Sequence, residues 1–186
     1  MEWSDTAIVL SARPHGESAA IVNLLTREHG RHAGLIRGGA GRRTRGVLQP
    51  GNEVAATWRA RLSEHLGTLV CELERARAAA LMDDAPRLAG LRSACAIAEA
   101  GLPERDPHRE VFDSTVDLLD AMANTPGWRL DYVRWELRLL ADLGFGLDLS
   151  ACAATGVTDD LTYVSPRTGR AVSNEAAQPT TRRAPC

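Results

Sequence analysis

The sequence predicts an α+β protein, a small β-barrel followed by a helical region, and two observations support this fold class. The first 75 residues contain short apolar and β-branched segments separated by turn sequences. After residue 75 the apolar residues recur with helical spacing in a stretch rich in alanine and leucine. With 186 residues, 44% of them hydrophobic, the chain can form one or two domains with a real core.

The barrel prediction depends on five segments with the composition of strands. Turn sequences separate them: HGES at residues 15–18, EHG at 28–30 and QPGN at 49–52. The segments are residues 6–12, 19–26, 31–36, 53–61 and 67–75. Apolar and polar residues alternate in the last two segments. This alternation predicts that the side chains facing the barrel interior are Val54, Ala56, Trp58, Leu69, Cys71 and Leu73. Five short strands at this spacing are typical of a small closed barrel.

Three helices are predicted in the second region, each beginning near a proline, which is favoured in a first helical turn. The prolines are Pro86, Pro107 and Pro126, and Gly144 stands where the third helix would end. The predicted core stripes are Leu88, Leu91, Cys95 and Ala98; Val111, Thr115, Leu118 and Met122; and Leu130, Val133, Leu137 and Leu140. Residues 147–175 are irregular, with a knuckle and a hairpin, and residues 176–186 are predicted to be a disordered tail.

Charge is distributed unevenly along the chain. All 22 basic residues are arginine, and the net charge is −2. Residues 1–67 hold nine arginines against six acids, whereas residues 68–150 hold nine against fifteen. This division predicts a first region that can meet a polyanion and a middle region that meets protein.

The strongest functional signal is a glycine-spaced run of cations at residues 37–45, which we call the arginine segment. Its cations are Arg37, Arg42, Arg43 and Arg45, and no acid lies between Glu28 and Glu53. Arginine offers a planar, permanently charged donor for phosphate, and glycine lets the backbone approach a partner closely. The segment therefore predicts a mobile loop that contacts a nucleic-acid backbone, with flanking candidates Arg31, Arg59 and Arg61. An ordinary solvated loop would have the same composition.

Other residue types predict little chemistry. The four cysteines have no paired spacing, which argues against a disulfide framework or an intact zinc finger. Trp58 is predicted to be core, and Trp3 is a weak candidate for base stacking or an N-terminal anchor. The histidines near turns are predicted to be surface residues: His15, His29, His32 and His65. No secretion signal or membrane-length apolar run is evident, which favours a bacterial-type cytoplasmic location.

Seven segments stand in a specific order and spacing: AIVL at 7–10, RPHGES at 13–18, LTREHG at 25–30, LQPGN at 48–52, LGFGLDL at 143–149, CAATG at 152–156 and YVSPRTGRAVS at 163–173. Together they resemble the RecO family of bacterial DNA repair and recombination mediators. The resemblance covers about residues 1–174 and includes the arginine segment.

The resemblance implies an OB-fold at residues 1–78, a helical domain at 79–148 and a degenerate zinc-ribbon-like insert at 149–175. It implies binding of single- and double-stranded DNA, annealing of complementary strands and help in loading RecA on DNA coated by single-stranded DNA-binding protein (SSB). The implied partners are RecR, the SSB C-terminal tail and, in some species, RecF, on nucleoid DNA. No enzymatic activity, cofactor or small-molecule substrate is implied.

Two departures from the family pattern stand out. Some relatives hold zinc with four cysteines, but here Thr155 follows Cys152 at the second ligand position and residues 163–173 have no cysteine. One thiolate cannot hold a structural zinc, so we predict no metal and a knuckle held by turns and packing. Family chains also continue with further helix past the AVS sequence at 171–173, so this end is expected to be truncated or frameshifted.

Three alternatives remain open from the sequence. A stand-alone OB-type module would bind nucleic acid without annealing it or binding RecR. A protein adaptor would use the helical region and show no salt-dependent DNA binding. A metal-dependent nuclease would need converging carboxylates, for which Asp148, Asp159 and Asp160 are poor candidates because the last two are adjacent in an irregular stretch.

Overall fold

The computed structural model describes residues 1–177 and begins with five strands that close into a barrel. They are β1 (Glu2–His15), β2 (Ala19–Thr26), β3 (Gly30–Ile36), β4 (Glu53–Arg59) and β5 (Thr68–Arg75). Their order around the barrel is β1-β2-β3-β5-β4, and β3 meets β5 through a parallel bridge between Leu35 and Thr68. A closed five-stranded barrel of this kind is the OB architecture. The predicted α+β class with an N-terminal barrel is confirmed.

Strand β1 closes the barrel because it pairs with two neighbours. Its first part, Glu2 to Ile8, pairs with β4, and its later part, Ala7 to His15, pairs with β2. A register shift between Val9 and Ser11 marks a bulge, which allows the strand to bend. The strand starts four residues earlier than predicted and thereby includes Trp3.

The barrel core contains most of the predicted inward residues. Val54, Ala56 and Trp58 are each at most 2% exposed, and Leu69 is 3% exposed. The prediction is wrong for Leu73, which is 44% exposed. Because β5 meets β3 at Thr68 alone, its later residues have a strand on one side only and extend past the barrel wall.

Helices dominate the next region. The bounds are α1 (Arg42–Val47) between β3 and β4, then α2 (Arg77–Ala80), α3 (Ala85–Gly101), α4 (Arg109–Asn124) and α5 (Trp128–Asp142). The start of α3 is fixed by Asp84, whose side chain accepts a hydrogen bond from the Arg87 backbone N–H. The predicted stripe of α4 is confirmed, and that of α3 is confirmed except at Leu88, which is partly exposed.

The predicted stripe of α5 is wrong. Leu130 and Val133 are 56% and 49% exposed, whereas Trp128 and Trp135 are buried. The two tryptophans are seven residues apart and take the inner face, since each buries more apolar area than a leucine. The Trp135 indole N–H also donates a hydrogen bond to the Thr115 hydroxyl at 2.9 Å.

The chain divides into two compact units, and the second begins at Glu136. Within it, β6 (Leu161–Val164) and β7 (Ala171–Ser173) form a hairpin, followed by α6 (Asn174–Ala177). Gly144 has φ +84°, and the Phe145 N–H donates to the Leu140 carbonyl, which is the predicted helix cap. The predicted domain bounds 1–78, 79–148 and 149–175 stay predictions. Of the predicted tail 176–186, residues 176–177 lie in α6 and the rest lies outside the described residues.

Candidate nucleic-acid interface

The arginine segment is part turn and part helix. Residues 37–41 form turns after β3, and Arg42, Arg43 and Arg45 lie on α1. The prediction of a loop throughout is therefore wrong from Arg42 onward. The turn ends where Gly41, in extended conformation, accepts the first helical hydrogen bond from the Arg45 N–H.

Two close contacts fix this segment to the barrel. A Cβ on Gly39 would lie 2.6 Å from the Ala20 Cβ and 2.9 Å from its backbone nitrogen, so only glycine fits against β2. The Ala40 N–H donates to the Ser18 carbonyl at 3.0 Å. At the other end, Leu48 is 2% exposed and belongs to the barrel core. The arginines are thus presented from a backbone that is held on both sides.

The four arginines of the segment are exposed and have no acidic partner among the residues that the structure describes. Arg37, Arg42, Arg43 and Arg45 all lie on the surface. Within residues 1–177, none of them forms an ion pair with a carboxylate, unlike most of the barrel's other arginines. Unpaired, solvated guanidinium groups are available to phosphate without first breaking a salt bridge. The structure therefore brings together all four predicted residues.

The three flanking candidates lie elsewhere. Arg31 is largely buried, donates to the Leu102 carbonyl at 2.8 Å and pairs with Glu104. Arg59 pairs with Glu2 at 2.7 Å, which raises the Arg59 pKa. Arg61 is exposed in the loop after β4. Arg31 and Arg37 lie at opposite ends of β3, about 20 Å apart at the usual rise per residue. A role for these three in DNA binding stays a prediction.

A cavity that the sequence did not reveal opens beside the arginine segment. It has a volume of about 270 Å³ and lies between the ends of β1 and α1. Its walls include Arg13 and Arg45, with Gln49 and several apolar residues. Arg13 lies on the predicted strand side of the HGES turn, but nothing in the sequence distinguishes it from any surface arginine.

The other end of the barrel carries an aromatic cluster. Trp3 stacks on His29 with ring centroids 4.3 Å apart, and it also contacts Trp58 and His32. Trp58 is buried as predicted, and its indole N–H donates to the Leu66 carbonyl. Trp3 is partly buried and stacks on the rings of His29 and Trp58, which favours the anchor over the stacking platform.

His32 is a correction to the predicted surface histidines. It is 5% exposed, and neither ring nitrogen has a hydrogen-bond partner within the described residues. Burial, helped by the nearby positive charge of Arg105, lowers the pKa of His32 to about 4, so the ring is neutral at pH 7. The signal for burial was present, since His32 shares the two-residue period of Gly30, Gly34 and Ile36 along β3.

A row of ion pairs joins the barrel to the helices that follow it within the first unit. We call it the seam; its pairs are Arg13–Glu99, Arg27–Asp113, Arg31–Glu104, Arg77–Glu53, Arg77–Asp120 and Arg109–Glu28. Cys95 packs nearby, where burial raises its thiol pKa to about 12. Sequence reasoning missed the seam because its partners are far apart in the chain.

The knuckle does not fit zinc. The Cys152 sulfur accepts hydrogen bonds from the Ser173 N–H at 3.3 Å and hydroxyl at 3.5 Å. These bonds, with one from Thr155, lower the pKa of Cys152 to about 6. Within residues 1–177 no three His, Cys, Asp or Glu side chains come together as metal ligands. Hydroxyl donors thus surround the sulfur where a zinc site would place further ligands.

The nuclease candidates do not converge either. Asp148 accepts hydrogen bonds from Ser150 and pairs with Arg170 at 3.1 Å, which together lower the Asp148 pKa. Asp160 has a left-handed backbone, and its carboxylate lies beside the Thr162 hydroxyl.

Across the described part of the chain, no helix has the length and apolarity of a membrane span.

Comparison with known families decides the identity. The family described as "Recombination protein O N terminal" matches residues 1–76, and "Recombination protein O C terminal" matches residues 82–185. The chain belongs to the RecO family. The family match covers both the barrel that carries the arginine segment and the helices that follow it.

Curated relatives agree with this assignment. The DNA repair protein RecO of Rhodospirillum centenum is 63% identical over 181 residues, which cover 96% of this chain and 72% of the relative. Those of Rhodospirillum rubrum and Rhodopseudomonas palustris are 58% and 54% identical, with 96% of this chain and 73% and 71% of the relative covered. A role in DNA repair is therefore supported for this RecO chain.

Proposed function

We propose that this RecO chain binds single- and double-stranded DNA through the arginine segment and anneals complementary strands. The observation that carries the proposal is the set of four exposed arginines without acidic partners on a backbone fixed at Gly39 and Leu48. Phosphate contacts carry no base information, so the binding is independent of sequence and sensitive to salt. Screening the phosphates of two strands, while leaving their bases free, lets complementary bases pair.

The decisive experiment is a fluorescence-anisotropy titration of oligo-dT at several salt concentrations. Four phosphate contacts give a log–log slope of about −3 for a single strand, and an R42A/R43A/R45A variant reduces it to about −1. The matched control is R92A/R134A/R138A, which removes the same charge from exposed positions on helices α3 and α5. Equal slopes for the two triple variants would refute the arginine segment as the DNA site.

Annealing is tested separately with two complementary labelled strands. The wild type accelerates pairing, and the arginine-segment variant loses that acceleration while the control triple variant keeps it. DNA binding without acceleration of annealing would favour the stand-alone nucleic-acid-binding module. A folded chain that binds no DNA would favour the protein adaptor.

The mediator part of the proposal involves protein partners: the SSB C-terminal tail, RecR, RecF in some species, and RecA as the protein loaded. A groove of about 420 Å³ between α3 and α5 supports the first of these. Its walls include Trp128, Tyr132 and Val133, and the Arg129 guanidinium lies 5.2 Å from the centre of the Trp128 ring. An apolar groove with a cation at its rim suits an acidic, apolar peptide.

Among the arginines of α5, Arg129 alone lines the groove. Arg134 pairs instead with Asp131 at 3.4 Å. The test is binding of a labelled SSB C-terminal peptide to the wild type and to R129A. A loss in R129A, with R134A unchanged, supports the groove; equal binding by both variants would refute it.

The proposed function requires neither catalytic activity nor a cofactor. The chemistry of annealing and loading requires binding and release of strands, not the making or breaking of covalent bonds. A magnesium-dependent cleavage assay on single-stranded and duplex DNA tests this part. Cleavage that persists in highly purified protein and is lost in D148N would support the nuclease.

A further inference from the structure

The cavity beside the arginine segment is not used by the phosphate contacts described above. Its volume is about 270 Å³, and its walls are formed by the end of β1, the start of β2, the turn before α1 and the turn after it. Most of the wall is apolar: Ala12, Pro14, Ala20, Gly39, Ala40, Leu48 and Pro50. Apolar walls beside two guanidinium groups suit the flat face of a planar ring together with its phosphate.

The polar groups of the cavity are few and lie where a nucleotide needs them. Arg13 and Arg45 supply guanidinium planes, which stack on bases as well as binding phosphate. The Arg13 side chain is 73% exposed and held by one hydrogen bond to Glu99, so it can turn toward a ligand. Gln49 donates its amide N–H to the Arg45 carbonyl at 3.0 Å, which leaves its oxygen as an acceptor.

The cavity adjoins the arginine segment, and this position also favours a nucleotide as its ligand. Arg45 belongs both to the cavity wall and to the arginine segment, so a strand whose phosphates lie along the segment passes the mouth of the cavity. A base in a duplex is stacked on both faces and paired at its edge, and it cannot enter without being extruded. An unstacked base of a single strand can enter at once.

We propose that this cavity is a slot for one unstacked base of single-stranded DNA, with Arg13 and Gln49 as additional contacts. The slot rests on the proposed function, because the arginine segment must first bring the strand to its mouth. Since its walls are mostly apolar, it accepts different bases with little discrimination. Its consequence is a preference for single strands over duplex that phosphate contacts alone do not give.

The test compares an oligo-dT of about 16 nucleotides with an abasic oligomer of the same length, which keeps the phosphates and removes the bases. The slot is blocked by Ala40→Leu, which fills its wall and leaves every arginine in place. The matched control is Ala100→Leu, at an exposed position on α3. Circular dichroism melting confirms that each variant is folded.

The wild type is expected to bind oligo-dT roughly 5- to 100-fold tighter than the abasic oligomer, the range of one buried or stacked base. A40L is expected to bind both oligomers with the weaker affinity, and A100L to behave as the wild type. Equal binding of the two oligomers by the wild type, or an unchanged preference in A40L, would overturn the slot. The proposed function fails separately, if R42A/R43A/R45A binds the abasic oligomer as well as the wild type does.

Photo-crosslinking gives an answer that does not depend on any variant folding. A strand with a diazirine on one base is irradiated with the wild-type protein; loss of N₂ gives a carbene that inserts into C–H and N–H bonds of any adjacent residue, and mass spectrometry maps the attachment sites. Attachment at Arg13, Pro14, Gln49 or Pro50 supports the slot. Attachment confined to residues outside the cavity would overturn it.

Discussion

Two groups of arginines in this RecO chain, the arginine segment and the seam, differ in what they contact. Those of the arginine segment are exposed and make no ion pair within the described residues, whereas those of the seam are each paired with a carboxylate. Arg27 and Arg77 therefore join the barrel to the helices, while Arg42 and Arg43 are available to an external anion. The same residue type is paired with carboxylates in one group and left to solvent in the other, and the proposed function assigns DNA binding to the second.

Because of this difference, a net charge of −2 is compatible with the proposed binding of DNA. The acids of residues 68–150 do not simply repel a polyanion, because Glu99, Glu104, Asp113 and Asp120 neutralise arginines of the seam. The arginine segment lies in the stretch between Glu28 and Glu53 that contains no acid. Net charge is thus less informative than the positions at which charge is left unpaired.

The largest expected effect is the loss of a buried seam arginine. Arg77 is 7% exposed and lies between Glu53, at 2.8 Å, and Asp120. In Arg77→Met, the largely buried Glu53 carboxylate loses its main partner, so the free energy of unfolding is expected to fall by about 3 to 5 kcal/mol. Urea denaturation followed by circular dichroism measures it.

Arg75 provides the matched control, because it contacts the same two carboxylates from an exposed position. Arg75→Met is expected to cost at most about 1 kcal/mol, as exposed pairs do. If both variants lost the same free energy of unfolding, the burial of the Arg77 pairs would add nothing to the stability that an exposed pair provides. DNA affinity is expected to remain unchanged in both.

His32 sharpens the comparison, since it is a buried group whose ring nitrogens have no hydrogen-bond partner among residues 1–177. Its pKa is about 4 when folded and about 6.5 when unfolded, so the unfolded chain binds more protons between these values. Above pH 6.5 the ring is neutral in both states, so His32 does not lower the free energy of unfolding. As the pH falls toward 4, the unfolded chain takes up a proton that the folded ring does not, and the free energy of unfolding decreases by up to roughly 3 kcal/mol. His29 and Glu104 also face it, with opposite effects.

The measurement is the free energy of unfolding at pH 7, 6, 5 and 4.5 for the wild type and His32→Gln. The carboxylates titrate in both proteins, so the difference between the two curves isolates His32. We expect the wild type to lose more stability than the variant as the pH falls. Parallel curves would mean that the histidine is protonated in the folded protein as readily as in the unfolded chain.

A change at Gly39 tests whether the arginine segment is really fixed to the barrel. In Gly39→Ala the new Cβ would lie too close to the Ala20 backbone, and the segment must move away from β2. Overpacking of this kind costs about 1 to 3 kcal/mol, and we expect DNA affinity to fall as well. Gly46→Ala, on α1 with no atom near its Cβ position, is the control and is expected to stabilise by about 0.5 to 1 kcal/mol.

The sequence predicted the barrel well because its signals are local. Alternation placed Val54, Ala56 and Trp58 in the core, and turn sequences separated the strands correctly. It failed where the environment is set by distant residues. Leu73 follows the alternation of a core residue, but it lies beyond the point where β3 pairs with β5. On α5, Trp128 and Trp135 occupy the buried face that the sequence assigned to leucines.

The candidate site was predicted only in part for the same reason. The composition of residues 37–45 identified the arginines, but which cations are paired depends on carboxylates up to 86 residues away, as for Arg27 and Asp113. The cavity beside Arg13 and Arg45 arises from four chain segments and has no sequence signature. The short helix α1 was missed since six residues around a glycine have weak helical periodicity.

The smallest expected effect on stability is that of the arginine segment itself. R42A/R43A/R45A removes side chains that are exposed and make no ion pair within residues 1–177, so the free energy of unfolding is expected to stay within about 0.5 kcal/mol of the wild type. Urea denaturation of the variant, beside the salt-dependent DNA titration of the same preparation, gives both values. A loss above about 1 kcal/mol would mean that these arginines hold the fold as Arg77 does. An unchanged stability with lost DNA binding would establish that the arginine segment and Arg77 have separate tasks, because each could then be removed without the effect of the other.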